Sequence, residues 1–371
     1  MKKYLCLLLL PLLFLQAPYK SCAASASISL SAECCALYDA ENRIMLYGKA
    51  ADTPHAMAST TKVMTALVAI EEMPLDTVVT VPSEACGVEG SSVYLKENES
   101  YTLRSLLYAL LLQSANDAAE AIAYAVGGSI EAFTEKMNTR AAALGLTVTH
   151  FENPHGLDAE GHVTTARELA IIMCEALKNP DFCEISKTRR FVFCGTNGEN
   201  PRTLINHNKM LYLYEGATGG KTGFTKRCGR CLVSSAERDG LLLVAVTLDA
   251  PSDWADHTAL LDYGFSTYES RVIAPAGALR VTVPLFNTAK EATVCNREEI
   301  RMVLRRDEET PTARYDLQPF PVAPIEKGGD AGTVTFTRSD GVSVTAELIY
   351  PDAHTLPQKE KGWFGKRRNV S

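Results

Sequence analysis

Ser59 and Lys62 stand three residues apart in the stretch AMASTTKVMTAL. On a helix, positions three apart share a face, so the hydroxyl and the amine can meet. A serine is a weak nucleophile until a base takes its proton. A lysine can be that base when burial or a neighbouring cation lowers its pKa. Taken alone, the stretch reads far more readily as a helix cap, because Ser and Thr are common at helix starts and Ser-x-x-Lys occurs often by chance. Two later stretches change that balance. In Ser114-Ala115-Asn116, Ser114 could relay a proton and the Asn116 amide could hold a substrate carbonyl, or the three could be a polar helix–helix connection. In GGKTGFT, Lys221 and Thr222 could meet a carboxylate and Gly223 could let a substrate backbone lie close, or the glycines could simply make a hairpin. In this order, at a helix start, a helix–helix loop and a strand, the three stretches form a set suited to acyl transfer through a covalent serine intermediate.

The elements that must position these residues follow from the pattern. Residues 29–50 give two short apolar runs parted by Asp-Ala-Glu-Asn, which predicts a β-hairpin. A helix is predicted from Ser59 to Ile70, then an extended, glycine-bearing loop over 77–95. Helices are predicted over 102–113, from the end of SAND to Gly127, and over 129–144. Another starts at Thr165, where Glu168 completes a capping box. Strands are predicted near 190–194 and over 228–249, then a helix from Asp253 to Tyr263. Strands, then helices, then strands predict an α+β domain with helices on an antiparallel sheet. Beyond Pro275 the segments are short and alternating, as in a separate small β-domain. No solenoid repeat is visible.

The chain has 371 residues, 46% of them hydrophobic, enough for a large core and a smaller one. A net charge of −7 gives no ground for a nucleic-acid partner. Lys2 and Lys3 precede an apolar stretch from Tyr4 to Leu15 and then small residues, the layout of a secretory signal peptide cleaved after Ala24 or Ala26. Cys22 raises a lipoprotein alternative, but the preceding Tyr-Lys-Ser lacks the apolar and small residues that would need. Export to the cell envelope, at the outer face of the membrane or beyond it, is the expected location. The eleven cysteines include Cys34-Cys35 and a Cys228-Gly-Arg-Cys231 run. Zinc would need a second ligand pair at matching spacing, and a thioredoxin-like site would need a helix start. The cysteines therefore read as small apolar residues. The tail, with Trp363, Phe364 and basic residues between Lys359 and Arg368, could be disordered or touch an anionic membrane weakly.

With these motifs in place, the sequence resembles the low-molecular-mass penicillin-binding proteins that act as D-alanyl-D-alanine carboxypeptidases. The resemblance runs from about Ser29 to Asp352 and includes ASTTKVMTAL, SAND, NPHGLD, TTAREL, NHNKML and GATGGKTGFTKRCGRCLVSSA. It implies a β-lactamase/transpeptidase-like α+β domain, an antiparallel sheet with helices on both faces and a helical subdomain, followed by a small all-β domain. The division implied is 1–26 signal, 27–272 carboxypeptidase domain, 273–352 β-domain and 353–371 tail. It implies that Ser59 forms the acyl-enzyme, Lys62 is the base, and Ser114 relays protons to the leaving D-alanine. Asn116 would bind the substrate amide, Lys221 and Thr222 the terminal carboxylate, and the N–H groups of Ser59 and Phe224 the oxyanion. His155 of NPHGLD is read as a structural loop residue. The implied substrate is the peptidoglycan stem peptide, with β-lactams as covalent inhibitors and neither cofactor nor metal. A β-lactamase or endopeptidase on the same scaffold, or a non-catalytic wall-binding protein, are the alternatives. No Glu-x-x-x-Asn segment of the class A deacylating type follows SAND, which argues against the β-lactamase.

Overall fold

The computed structural model describes residues 28–356; the expected signal segment, and the tail from residue 357 on, lie outside the described residues. In chain order the first half comprises β1 (Cys34–Asp39), β2 (Ile44–Lys49), α1 (Lys62–Glu72), β3 (Val78–Thr80), β4 (Ser100–Thr102), α2 (Leu103–Leu112), α3 (Asn116–Gly127), α4 (Ile130–Ala143), α5 (Ala166–Ala176) and α6 (Pro180–Lys187). There follow β5 (Arg190–Phe193), β6 (Arg202–Ile205), α7 (Met210–Leu213), β7 (Ala217–Thr225), β8 (Gly229–Arg238), β9 (Leu241–Leu248) and α8 (Asp253–Thr267). The last stretch is all strand: β10 (Tyr268–Ala274), β11 (Arg280–Pro284), β12 (Glu291–Asn296), β13 (Ile300–Arg305), β14 (Thr312–Leu317), β15 (Asp330–Thr337) and β16 (Ser343–Ile349).

Strands β2-β1-β9-β8-β7 form an antiparallel sheet in that order, with β7 at one edge. Side chains alternate across a strand. Cys34, Ala36 and Tyr38 of β1 enter the core shared with α1 and α5, while Cys35 and Leu37 enter the core beneath α8. Val244 and Val246 of β9 likewise face the first core, and Leu243 and Ala245 the second. Both faces are covered, which is why β9 reads LLLVAVTL with no polar alternation. Helix α1 is buried at every position from Lys62 to Ala69, as a helix surrounded by others must be. It packs against α2, α3, α4, α5 and α6. The expected α+β layout, with helices on both faces of the sheet and a helical subdomain, is present.

Several local expectations shift. Ser59 does not cap α1: it lies in a 3₁₀ turn, Ala58–Thr61, that leads into the helix, and no side chain caps either element. Half of the expected capping box forms, as Thr165 Oγ1 accepts from the Glu168 N–H at 3.0 Å. The Glu168 carboxylate turns instead to the N–H groups of Thr147, Val148 and Thr149. Helix α8 continues four residues past Tyr263, and α6 appears where none was expected, capped by Asn179 with Pro180 at its first position.

Beyond α8, β10 pairs with β13, and β11-β12-β16-β15-β14 form a second antiparallel sheet around Val294, Met302, Val334, Phe336 and Leu348. Tyr268 and Val303 pack into the core beneath α8, so β10 is the joint between the two regions. Among the described residues no helix is long and apolar enough to cross a membrane.

Candidate active site

The turn at Ala58–Thr61 is held from three sides. Thr60 Oγ1 donates to Met57 O at 2.6 Å, and Thr61 Oγ1 to Ala58 O at 2.8 Å. His162 fixes Thr61 from the far side, its Nε2 lying 2.7 Å from Thr61 Oγ1 while its Nδ1 accepts from the Glu152 N–H. Burial pushes His162 down to about 4, so the ring is neutral and Nε2 carries the proton. Ala58 adopts a left-handed conformation, φ 46°, which brings Ser59 to the cleft floor at a local cost of about 1–2 kcal/mol.

Lys62 is wholly buried, and its Nζ reaches three partners: Ser59 Oγ at 2.9 Å, Asn116 Oδ1 at 2.7 Å and the His155 carbonyl at 2.5 Å. The two carbonyl oxygens can only accept. A neutral amine has two N–H groups for them and one lone pair, which is left for the Ser59 hydroxyl. Burial, and then the charge of Lys221, hold Lys62 well below the ordinary lysine range, with Asp117 opposing. Lys62 is thus set up as an acceptor of the Ser59 proton.

Asn116 opens α3 and is gripped at both ends of its amide, since Oδ1 accepts from Lys62 Nζ and Nδ2 donates to Glu89 O at 2.6 Å; its backbone N–H donates to Ser91 O at 2.7 Å. Asp117 ties the loop in front, accepting from Ser92 Oγ and from the N–H groups of Val93 and Leu95. Ser114 has a left-handed φ of 59° and lines the same cleft as Ser59. Among the described residues its hydroxyl bonds neither Ser59 nor Lys62.

Strand β7 forms the opposite wall. Gly223 faces the serine turn so closely that a Cβ there would stand 3.0 Å from Met57 O and 3.1 Å from Ser59 N. The glycine lets strand and turn approach each other, and it also lines the cleft. Lys221 is buried, its Nζ donates to Thr222 O at 2.7 Å, and burial pushes its pKa down to about 7. Thr222 and the exposed Phe224 line the cleft.

Three contributors escaped the sequence reading. His155 supplies a backbone carbonyl to Lys62 while its ring sits 3.4 Å from Glu120. Gly156, at φ +89°, packs where a Cβ would fall 2.0 Å from Ala58 O. Arg230 sits opposite Phe224 in the β7–β8 register and enters the cleft, a space of about 700 Å³. Its Nη2 pairs with buried Asp253 at 2.9 Å, its guanidinium lies 5.8 Å from the Trp254 ring, and its buried Nε has no partner.

The family model described as D-alanyl-D-alanine carboxypeptidase, Peptidase S11, matches residues 20–252. The D-alanyl-D-alanine carboxypeptidase DacB2 of Mycobacterium tuberculosis is 37% identical over 236 residues, 62% of this chain and 80% of that protein. DacF of Bacillus subtilis, with the same activity in its name, is 29% identical over 351 residues, 92% of this chain and 89% of that protein. Among solved structures, penicillin-binding protein 5 of Haemophilus influenzae superposes with a TM-score of 0.75 at 25% identity, covering 88% of this chain and 98% of that one. The chain belongs to the D-alanyl-D-alanine carboxypeptidase family, Peptidase S11.

Proposed function

We propose that this carboxypeptidase removes the terminal D-alanine of peptidoglycan stem pentapeptides through an acyl-enzyme on Ser59. One observation carries the assignment: Lys62 Nζ stands 2.9 Å from Ser59 Oγ with both of its hydrogens claimed by carbonyl oxygens. Lys62 takes the hydroxyl proton as Oγ attacks the penultimate D-alanine carbonyl. The N–H groups of Ser59 and Phe224 receive the oxyanion, and a donor of this kind is typically worth ~10²–10³ in rate. Ser114 passes a proton to the departing amine, and Asn116 holds the substrate amide. Water then cleaves the ester with Lys62 again as base.

The substrate's terminal carboxylate is assigned to Thr222 together with Arg230, and Lys221 acts behind them. Lys221 is enclosed and half-neutral near pH 7. Arg230 has an open face in the cleft, and a guanidinium keeps its charge at any working pH. A β-lactam ring presents the same carbonyl and carboxylate and should trap Ser59 as a stable ester. The substrate lies outside the cytoplasm, which agrees with the export expected from residues 1–26. The basic tail is assigned at most a weak contact with an anionic membrane.

Purified protein incubated with a pentapeptide ending in D-Ala-D-Ala should release one D-alanine, and Ser59→Ala should release none. Release by a correctly folded Ser59→Ala protein would reject the assignment.

A further inference from the structure

Cys228 and Cys231 take no part in the chemistry above, yet they lie where its three segments meet. Cys231 pairs in register with Gly223, and its thiol faces the Ala56 carbonyl at 3.7 Å, three residues ahead of Ser59. Cys228 lies beneath the exposed Lys226-Arg227 turn that joins β7 to β8. Its backbone N–H donates to Thr225 Oγ1 at 3.2 Å, and that hydroxyl donates to Asp158 at 2.9 Å, in the loop whose His155 carbonyl holds Lys62. The two sulfurs are 3.9 Å apart, both buried, and both thiols are free. The sequence reading of these residues as apolar filler accounts for their burial, but not for two thiols facing each other across the base of the hairpin.

We propose that Cys228 and Cys231 are an oxidation site: a peroxide closes them to a disulfide, and the closed form acylates Ser59 more slowly. The inference rests on Ser59 being the nucleophile. Cys228 is the attacking thiol. It stands nearer the turn surface, and the neighbouring Cys231 and Thr225 groups favour its thiolate, while Cys231 is held protonated. The Cys228 thiolate attacks one peroxide oxygen, the O–O bond breaks, and with one proton a water leaves, giving a sulfenic acid. The Cys231 sulfur then attacks the Cys228 sulfur. The S–O bond breaks, the hydroxyl leaves as a second water with the Cys231 proton, and the S–S bond forms. Two thiols and one hydrogen peroxide become one disulfide and two waters.

Closure requires the sulfurs to move from 3.9 Å to about 2 Å. The movement falls on a hairpin with no slack. Gly223 already touches the Ser59 turn, and Thr225 is tied to both Cys228 and Asp158. A small shift of β7 therefore reaches the Phe224 and Ser59 N–H groups. Displacements below 1 Å in such positions cost on the order of ten- to a hundredfold in rate.

The test uses reduced protein, protein treated with hydrogen peroxide, and treated protein reduced again with dithiothreitol, each labelled with a fluorescent penicillin. Trypsin cuts after Arg230, so an oxidised pair appears as Cys228–Arg230 joined to the peptide that starts at Cys231. The expected result is that linked peptide, a labelling rate lower by about tenfold or more, and recovery on reduction. Cys228→Ser should label at the wild-type rate and ignore peroxide. Absence of the linked peptide, or cross-linked protein that labels as fast as reduced protein, would overturn the proposal. Failure of the reduced protein to label would count against Ser59 as nucleophile, and the linked peptide would still decide the cross-link.

Discussion

Replacing Lys221 with methionine removes a cation from the interior while keeping most of the side chain's volume. The gain in stability can be worked out from its titration. Lys221 has a folded-state pKa of about 7 against an ordinary 10.5. Its folded value is the lower one, so between those limits the unfolded chain binds more protons and wild-type stability rises with pH. At about 1.4 kcal/mol per unit, a gap of roughly 3.5 units costs the folded protein roughly 5 kcal/mol below pH 7, declining to nothing near pH 10.5. Lys221→Met carries no such cost. It also relieves repulsion on Lys62, which acts in the same direction. Urea unfolding of both proteins at pH 6, 8 and 10 reads the difference. At pH 6 the variant midpoint should lie higher by on the order of 2 M, for ordinary urea slopes, and by pH 10 the gap should shrink to about a few tenths of a molar. A stability difference that is the same at pH 6 and pH 10, or a variant less stable at pH 6, would refute the reasoning. The more stable variant should label poorly with penicillin near neutral pH, because Lys62 recovers a higher pKa when its cationic neighbour goes.

Arg230→Gln should reduce kcat/KM for carboxylate-ended pentapeptide by about ten- to a hundredfold, the scale of a hydrogen bond to a charged group. The same peptide with an amidated end should change little, and equal losses on both would remove Arg230 from the carboxylate site. Gly156→Ala should cost a few kcal/mol of stability and slow penicillin labelling by on the order of a hundredfold, because the added Cβ would land 2.0 Å from Ala58 O. Wild-type labelling and melting in that variant would show that the loop yields freely.

The residues legible in the sequence were those whose chemistry is local. Ser59 and Lys62 share a face by spacing alone, and Ser114 and Asn116 lie at a break between two apolar helical runs. What stayed hidden depends on long-range placement or on backbone. The Lys62 partner at His155 is a carbonyl, which any residue type would supply, so the imidazole was a distraction. Arg230 enters the cleft only because β8 pairs Arg230 with Phe224, a register set by strands that the local pattern does not align. The same limit applies to the fold. Buried β9 was plain from its apolar run, whereas β14 is exposed over Thr312–Asp316 and has no apolar alternation to reveal it. Ser59 itself looked like a cap because a 3₁₀ turn and a capped helix start favour the same small polar residues.

Two buried lysines stand at this site, and their contacts favour Lys62 over Lys221 for the base proposed above. Both are desolvated, which disfavours the charged form of each. Their charges also repel each other, while Asp117 favours the charged form of Lys62. Contact singles out Lys62: its amine lies 2.9 Å from Ser59 Oγ with its hydrogens fixed by Asn116 and His155, whereas the Lys221 amine donates to Thr222 O. Lys221, losing its proton only near pH 7, still carries a fractional positive charge beside Thr222 when acylation begins. That residual charge keeps Lys62 deprotonated and favours an anion approaching β7. In the proposed mechanism the pair divides one problem between two identical side chains: Lys62 supplies a base, and Lys221 the field that keeps it one.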